Sequence, residues 1–336
     1  MPNDVTARAS LAEIATAADV SEATVSRVIN RRSGVAATTR EAVERAMREI
    51  GVARPVAGQL VALITPNLSN PFFAHLGERI ESELAPYGLR TVVCPVSSGT
   101  VHERDYVSVL VETGVAAIVF MSSGNTLRAF DRSPADLLSS RGVPFVTING
   151  GFDGAPSPTF STNEHVAARL AVMHLTTLGH RRIGLAAGPS GNIPSDRRTE
   201  GFVQIMTHLG VDDAAALVVR QSYSIEGGRH ATEDLLRRGC TAIVAASDQM
   251  ALGAYQAVER AGLRIPADVS VVGYDDDELL DFISPPLTTI RTPIARLAQE
   301  TAQSVLTMVS GNEVEQREML FDPELHLRSS TGPPPQ

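Results

Sequence analysis

Residues 11–30 read "LAEIATAADVSEATVSRVIN", two short helical patterns around a break. Leu11, Ile14, Ala15 and Ala18 recur at helical spacing, and Ser10 with Glu13 makes a capping box ahead of them, which predicts a first helix over 11–18. "DVS" turns the chain. Ser21 then caps a second helix that carries Val25, Val28 and Ile29 inward. Further on, "NRRSGV" is a loop. "TTREAVERAMREIG" is a third amphipathic helix with Val43, Met47 and Ile50 inward, stopped at Gly51. Helix, tight turn, helix, loop, helix within 50 residues is the helix-turn-helix arrangement.

The charge is unevenly spread. The 336-residue chain carries a formal charge of −9, yet residues 1–54 hold eight arginines against seven acids. Arg27, Arg31 and Arg32 face only Glu22 within residues 21–32, a local excess suited to phosphate. A hydrophobic content of 43% with 20% charged residues reads as globular. Cys94 and Cys240 sit in apolar runs and read as buried, reduced thiols. No apolar run reaches the ~18 residues that span a bilayer, and the first residues show no apolar signal core, so a cytoplasmic protein without membrane contact is expected.

After residue 60, apolar runs alternate with helical patterns, the mark of a parallel sheet wrapped by helices. The runs also repeat. "LVALITP" near 60 is echoed by "RIGLAAGP" near 182, "AAIVFMSS" at 116–123 by "TAIVAASD" at 241–248, and "VPFVTIN" at 143–149 by "VSVVGYD" at 269–275. Two doubly wound lobes with a cleft between them follow. Ligands of such sheets sit beyond the carboxyl ends of the strands. That selects Asn67 to Phe73, Ser122, Ser123, Asn149, the 188–198 loop with Asn192, Ser247, Asp248 and Asp275. Of the acids in "YDDDELLD", only Asp275 is expected to point inward, with Asp276, Asp277 and Glu278 facing solvent or capping a helix. The histidines lack ligand spacing, so no metal is expected, and no cofactor or catalytic motif is present: no G-x-S-x-G, H-E-x-x-H or P-loop.

The head, with its V-S-x-x-T-V-S-R core and T-R-x-x-V helix, resembles the DNA-binding head of the LacI/GalR family of bacterial transcription regulators. Asp19 stands where that family usually has a turn glycine; aspartate tolerates a left-handed backbone. "VALITPNLSNPFFA", "LGHRRIGLAAGP" and "SPPLTTIRTP" resemble the family's ligand-binding body, of the type I periplasmic binding protein fold. The resemblance implies that Glu22, Ala23 and Arg27 read bases in the major groove, while Ser21, Thr24, Ser26 and Asn30 hold phosphates. It places Phe72, Phe73, Arg198, Tyr223, Ser247 and Asp275 in the cleft. There Arg198 and Asp275 would bind vicinal hydroxyls and Phe72 or Tyr223 would stack on a ring, while Phe73 could equally be core and Ser247 a helix cap.

The expected organisation is an all-α three-helix head over 1–54, a short linker over 55–60 and an α/β body over 61–330. The body divides into one lobe of 61–161 plus 291–322 and another of 162–290 plus 323–330, before a disordered tail over 331–336. "PVAGQ" is too short for the family's hinge helix. The expected function is a regulator, a repressor, that binds a double-stranded operator as a homodimer, with a tetramer as the larger option. Its effector would be a mono- or oligosaccharide, with a purine-type corepressor as the alternative. A solute-binding receptor would share the body and lack the head.

Overall fold

The computed structural model describes residues 11–29, 35–50, 59–96, 102–129, 131–155 and 157–335. The head consists of α1 (Leu11–Ala18), α2 (Glu22–Ile29) and α3 (Ala37–Glu49). Ile14, Ala15, Val25, Val28, Val43 and Met47 close a small core among them. The turn between α1 and α2 places Asp19 at φ 53°, the left-handed conformation its side chain tolerates. Ile50, expected inward, is 38% exposed, because α3 ends one residue earlier and the last turn falls off the core. Ser10, Asn30 and the linker up to residue 58 lie outside the described residues. The body begins inside the expected linker, since the first strand opens at Gln59.

Two six-stranded sheets follow. The first is built from β1 (Gln59–Thr65), β2 (Leu89–Pro95), β3 (Ala117–Met121), β4 (Phe145–Ile148) and β5 (Thr159–Thr162). The second uses β6 (Ile183–Ala187), β7 (Val218–Arg220), β8 (Ala242–Ala245), β9 (Ser270–Asp275) and β10 (Thr288–Arg291). The chain then adds β11 (Glu318–Phe321) to the first sheet and β12 (Glu324–His326) to the second. The orders β2-β1-β3-β4-β5-β11 and β7-β6-β8-β9-β10-β12 are the same permutation, and the three echoed sequence pairs occupy matching strands. All neighbours are parallel except β10 and β12. Inner strands such as β3 are buried throughout, which is why they read as unbroken apolar runs.

Helices cover both faces. α4 (Pro71–Leu84) and α11 (Ile294–Val309) pack on one face of the first sheet, through Leu76, Ile80, Leu297 and Val305. α5 (Glu103–Glu112) and α6 (Ser133–Arg141) pack on the other through Val107 and Leu138. The second sheet is wrapped by α7 (Glu164–Thr177) with α8 (Ile193–His208), and by α9 (Ile225–Arg237) with α10 (Asp248–Arg260).

Thr331 and Gly332, placed in the expected disordered tail, are instead hydrogen-bonded to the second lobe. Ser330 is fully buried, its hydroxyl donating to Val271 O and accepting from Thr288 N. Beyond it, Gly332 N donates to Ser270 Oγ at 3.0 Å, and Gly332 O lies 2.9 Å from His180 Nε2. Side-chain-to-backbone bonding of this kind leaves no local pattern in a segment rich in proline and glycine.

α9 and α10 approach so closely that a Cβ on Gly253 would lie 2.0 Å from Ile225 O, a backbone atom that cannot step aside. Gly253→Ala is expected to lower unfolding stability by roughly 1–3 kcal/mol or more, read as a fall in the urea midpoint with unchanged slope.

Candidate functional site

On α2, Val25 and Val28 fill the head core, leaving Ser21, Glu22, Ala23 and Arg27 exposed and Thr24 and Ser26 half-buried. Ser21 is the expected cap: its Oγ accepts from Thr24 N at 3.2 Å. The same oxygen shares a hydrogen bond with the Thr24 hydroxyl at 2.9 Å. One of the two hydroxyl protons is thereby engaged, and the other remains for an outside acceptor such as a phosphate. Asn30 lies outside the described residues.

The strand ends of both sheets converge on a cleft of about 560 Å³. Phe72, Phe73, Ser122, Asn149, Asn192, Arg198, Tyr223, Ser247 and Asp275 all line it. Its backbone is unusual where the strands stop. Ser122 (φ 56°), Asn149 (φ 63°) and Asp275 (φ 120°) adopt positive φ without being glycine. Asn149 and Asp275 close the matching strands β4 and β9, so both repeats place a strained polar residue at the same point.

Individual roles differ from the expectation in several places. Arg198 faces the cleft but is 5% exposed and not free to fork around a ligand. Its Nε donates to Glu164 Oε2 at 2.8 Å, its Nη1 to Ala246 O at 2.5 Å, and its guanidinium lies 3.5 Å from the Tyr274 ring centroid. Burial opposes the charge on Arg198, and the Glu164 carboxylate beside it outweighs that, holding its pKa above the ordinary value. Asn149 is likewise engaged: its Nδ2 donates to Ser122 Oγ at 3.0 Å and its Oδ1 accepts from Thr162 N at 3.1 Å, leaving one amide proton. Ser247 caps α10, accepting from Met250 N at 3.2 Å, while still lining the cleft. Phe72 is 7% exposed and belongs to the core of the first sheet; the half-buried Phe73, edge-on to it at 5.2 Å, presents more ring. Tyr223 is more open and reaches Asn192 Oδ1 at 3.5 Å.

The acids after β9 also rearrange. Asp275 accepts a long bond from Asn70 Nδ2 at 3.4 Å. Burial, with Asp248 adding repulsion, pushes its pKa well above the carboxylate range. Asp248 is not a cleft ligand; its two oxygens accept from Tyr274 N, Thr289 Oγ1 and Asp277 N. Asp276, expected to face solvent, is a hub for Arg291 at 2.5 Å, Arg328 at 2.8 Å and His326 at 3.0 Å. Asp277 caps the short turn after it, as expected.

Sequence reasoning missed Glu164, Glu103 and Gln249. Glu164 sits one residue past the side-chain cap of α7, a position that alone reads as a favourable charge at a helix start. Gln249 donates to Ser69 O at 2.6 Å, and Asn192 to Thr126 Oγ1 at 3.2 Å; with Asn70 and Asp275 these bonds bridge the two lobes over the cleft. Among the described residues, no helix is long and apolar enough to cross a membrane, and no group of three or more His, Cys, Asp or Glu is placed to hold a metal.

Residues 10–53 match the model of bacterial regulatory proteins of the lacI family, and residues 172–331 match a periplasmic binding protein-like domain. The HTH-type transcriptional regulator MalR of Streptomyces coelicolor is 42% identical over 334 residues, spanning 97% of this chain and 97% of its own. The chain belongs to the lacI family. This lacI-family regulator is also similar to two solved structures. One is a complex of the transcriptional regulator CelR with cellobiose, at TM-score 0.73 and 28% identity over 96% of this chain and 100% of that one. The other is the lac repressor dimer bound to operator and the anti-inducer ONPF, at TM-score 0.71 and 31% identity over 97% of this chain and 100% of that one.

As a lacI-family member the chain is a helix-turn-helix transcription regulator, and its cleft floor rests on one buried ion pair. Glu164→Ala would leave the Arg198 charge buried and uncompensated. The expected loss is about 3–5 kcal/mol of stability, measured by denaturant unfolding.

Proposed function

We propose that this regulator is a cytoplasmic repressor that grips a two-fold symmetric operator as a homodimer and releases or holds it according to a small sugar-like effector in the cleft. A single head offers too little surface for tight specific binding, and paired heads match paired half-sites. Arg27 would take guanine O6 and N7, Glu22 a cytosine amino group and Ala23 a thymine methyl, while Ser21, Thr24, Ser26 and Asn30 would hold phosphates.

One observation carries the effector reading: Asn149 and Asp275, at matching strand ends, face one cavity that also holds hydroxyls and aromatic rings. Amide, carboxylate and hydroxyl groups read a polyol, and Phe73 or Tyr223 covers the apolar face of a ring. The CelR complex with cellobiose supports the same class. The body would divide into lobes at about residues 161, 290 and 323, with the head over 1–54 joined by a short linker over 55–60. Closing the lobes would then shift the spacing of the two heads, and DNA must change effector affinity by the same factor. The protein would act by binding alone, without catalysis.

Two measurements test this. Gel retardation on the DNA upstream of the protein's own gene should show Arg27→Ala weakening specific binding by about 1–3 kcal/mol; equal retention of wild type and variant would overturn the assignment of Arg27. A thermal-shift screen of glucose, ribose, maltose, cellobiose and hypoxanthine should single out a sugar, which at a hundredfold excess over its Kd adds about 2.7 kcal/mol. Stabilisation by hypoxanthine alone would point to a purine corepressor.

A further inference from the structure

Among the described residues, five buried side-chain polar atoms have no hydrogen-bond partner, and three of them belong to residues that line the cleft: Glu103 Oε1, Thr162 Oγ1 and Thr292 Oγ1. Buried polar groups are almost always satisfied, and leaving one unpaired costs about 1–3 kcal/mol. A cluster of such atoms around one cavity marks where something else supplies the partners.

Glu103 is the most telling. It opens α5 at the edge of the first sheet and is only 2% exposed. Its Oε2 accepts from Gly124 N at 2.9 Å, which fixes the carboxyl against the loop after β3. The neighbouring Ser123 hydroxyl, 3.4 Å from Asn125 Oδ1, lies close enough to the carboxyl to favour its ionised form without a hydrogen bond to Oε1. Burial pushes the Glu103 pKa up, against the Gly124 N–H and the Ser123 hydroxyl, so the ionised form gains from a further donor. Among the described residues no arginine bonds to it, in contrast to Glu164.

We propose that Glu103 is a specificity residue of the cleft, its Oε1 accepting a hydroxyl proton from a saccharide of at least two rings. The length follows from the sheet. Gly124 lies just past β3, whereas Thr162 ends β5, with β4 between them. Two strand spacings separate these ends by roughly 10 Å, more than the width of one pyranose ring. A ligand that reaches both the loop after β3, which holds Glu103, and the end of β5 must cover that span. This inference rests on the sugar-effector reading above.

The test is calorimetric titration of maltose, cellobiose, glucose and ribose into the full chain and into Glu103→Gln. Glutamine retains an oxygen for Gly124 N and turns an amide donor toward the cleft, so the ligand-free melting temperature is expected to hold. A disaccharide should bind wild type more tightly than either monosaccharide, and Glu103→Gln should weaken it about tenfold, the loss of a charge-assisted bond in favour of a neutral one. Equal disaccharide affinity in both proteins, or tight binding of a monosaccharide alone, would overturn the proposal and leave the sugar reading standing. Binding of none of the four would sink both. Should Glu103→Gln fail to fold, a crystal structure of wild type with the disaccharide that binds decides: a sugar hydroxyl within 2.5–3.0 Å of Oε1 supports the proposal, and a water there instead refutes it.

Discussion

A charge removed from water must be neutralised and hydrogen-bonded where it lies, and Arg198 imposes that demand on the centre of the body. The requirement ties four elements together. Arg198 comes from α8, Glu164 from the start of α7, Ala246 from the loop after β8, and Tyr274 from β9, whose hydroxyl donates to Glu164 Oε1 at 3.0 Å. Each partner sits at a strand or helix end, so the pair fixes where the second sheet stops and where the cleft starts. The ligand-facing groups around it inherit their positions from this buried core of charge. Rigidity of that sort suits a site that must measure a small molecule, because groups locked by their own hydrogen bonds lose little freedom when they bind.

The bonds that span the cleft are of another kind. Asn70 to Asp275 is long, Gln249 at the start of α10 reaches Ser69 O, and Asn192 to Thr126 is joined by a backbone bond from Arg128 N to Gly191 O and an ion pair from Arg128 to Asp196. They join lobes whose apolar cores are separate, two clusters on the faces of the first sheet and one around the second. Relative movement of the lobes therefore costs a handful of polar bonds, and a ligand that replaces those bonds can bias it.

Much of this was legible in the chain. The doubled strand pattern was plain because strands buried on both faces are written in continuous apolar residues, and the head was plain because its caps, turn and inward valines agree with one another. Most of the cleft residues followed from strand ends, while Tyr223 came only from the family resemblance and Asp248, also at a strand end, turned inward to bond backbone and Thr289. What escaped was pairing over long sequence separations. Arg198 looked like a free fork because Glu164 stands 34 residues earlier. Asp276 looked like a surface acid because its partners Arg291, His326 and Arg328 come from β10, β12 and the stretch beyond it. Glu103 carried no signal beyond that of an acid at a helix start. Burial and hydrogen bonding of a side chain depend on what the rest of the fold brings to it, and local pattern does not record that.

A cavity assembled from two copies of one unit would accept an elongated guest equally well in either direction. Here the copies differ where they matter: the fourth strand leads into an amide just past its end in one half, Asn149, and ends in an acid in the other, Asp275. The opening is thus chemically lopsided, an amide facing a carboxyl group, and a guest with distinguishable ends has one preferred way in. Directionality of this kind lets a regulator built from near-identical halves tell a molecule from its own reversal.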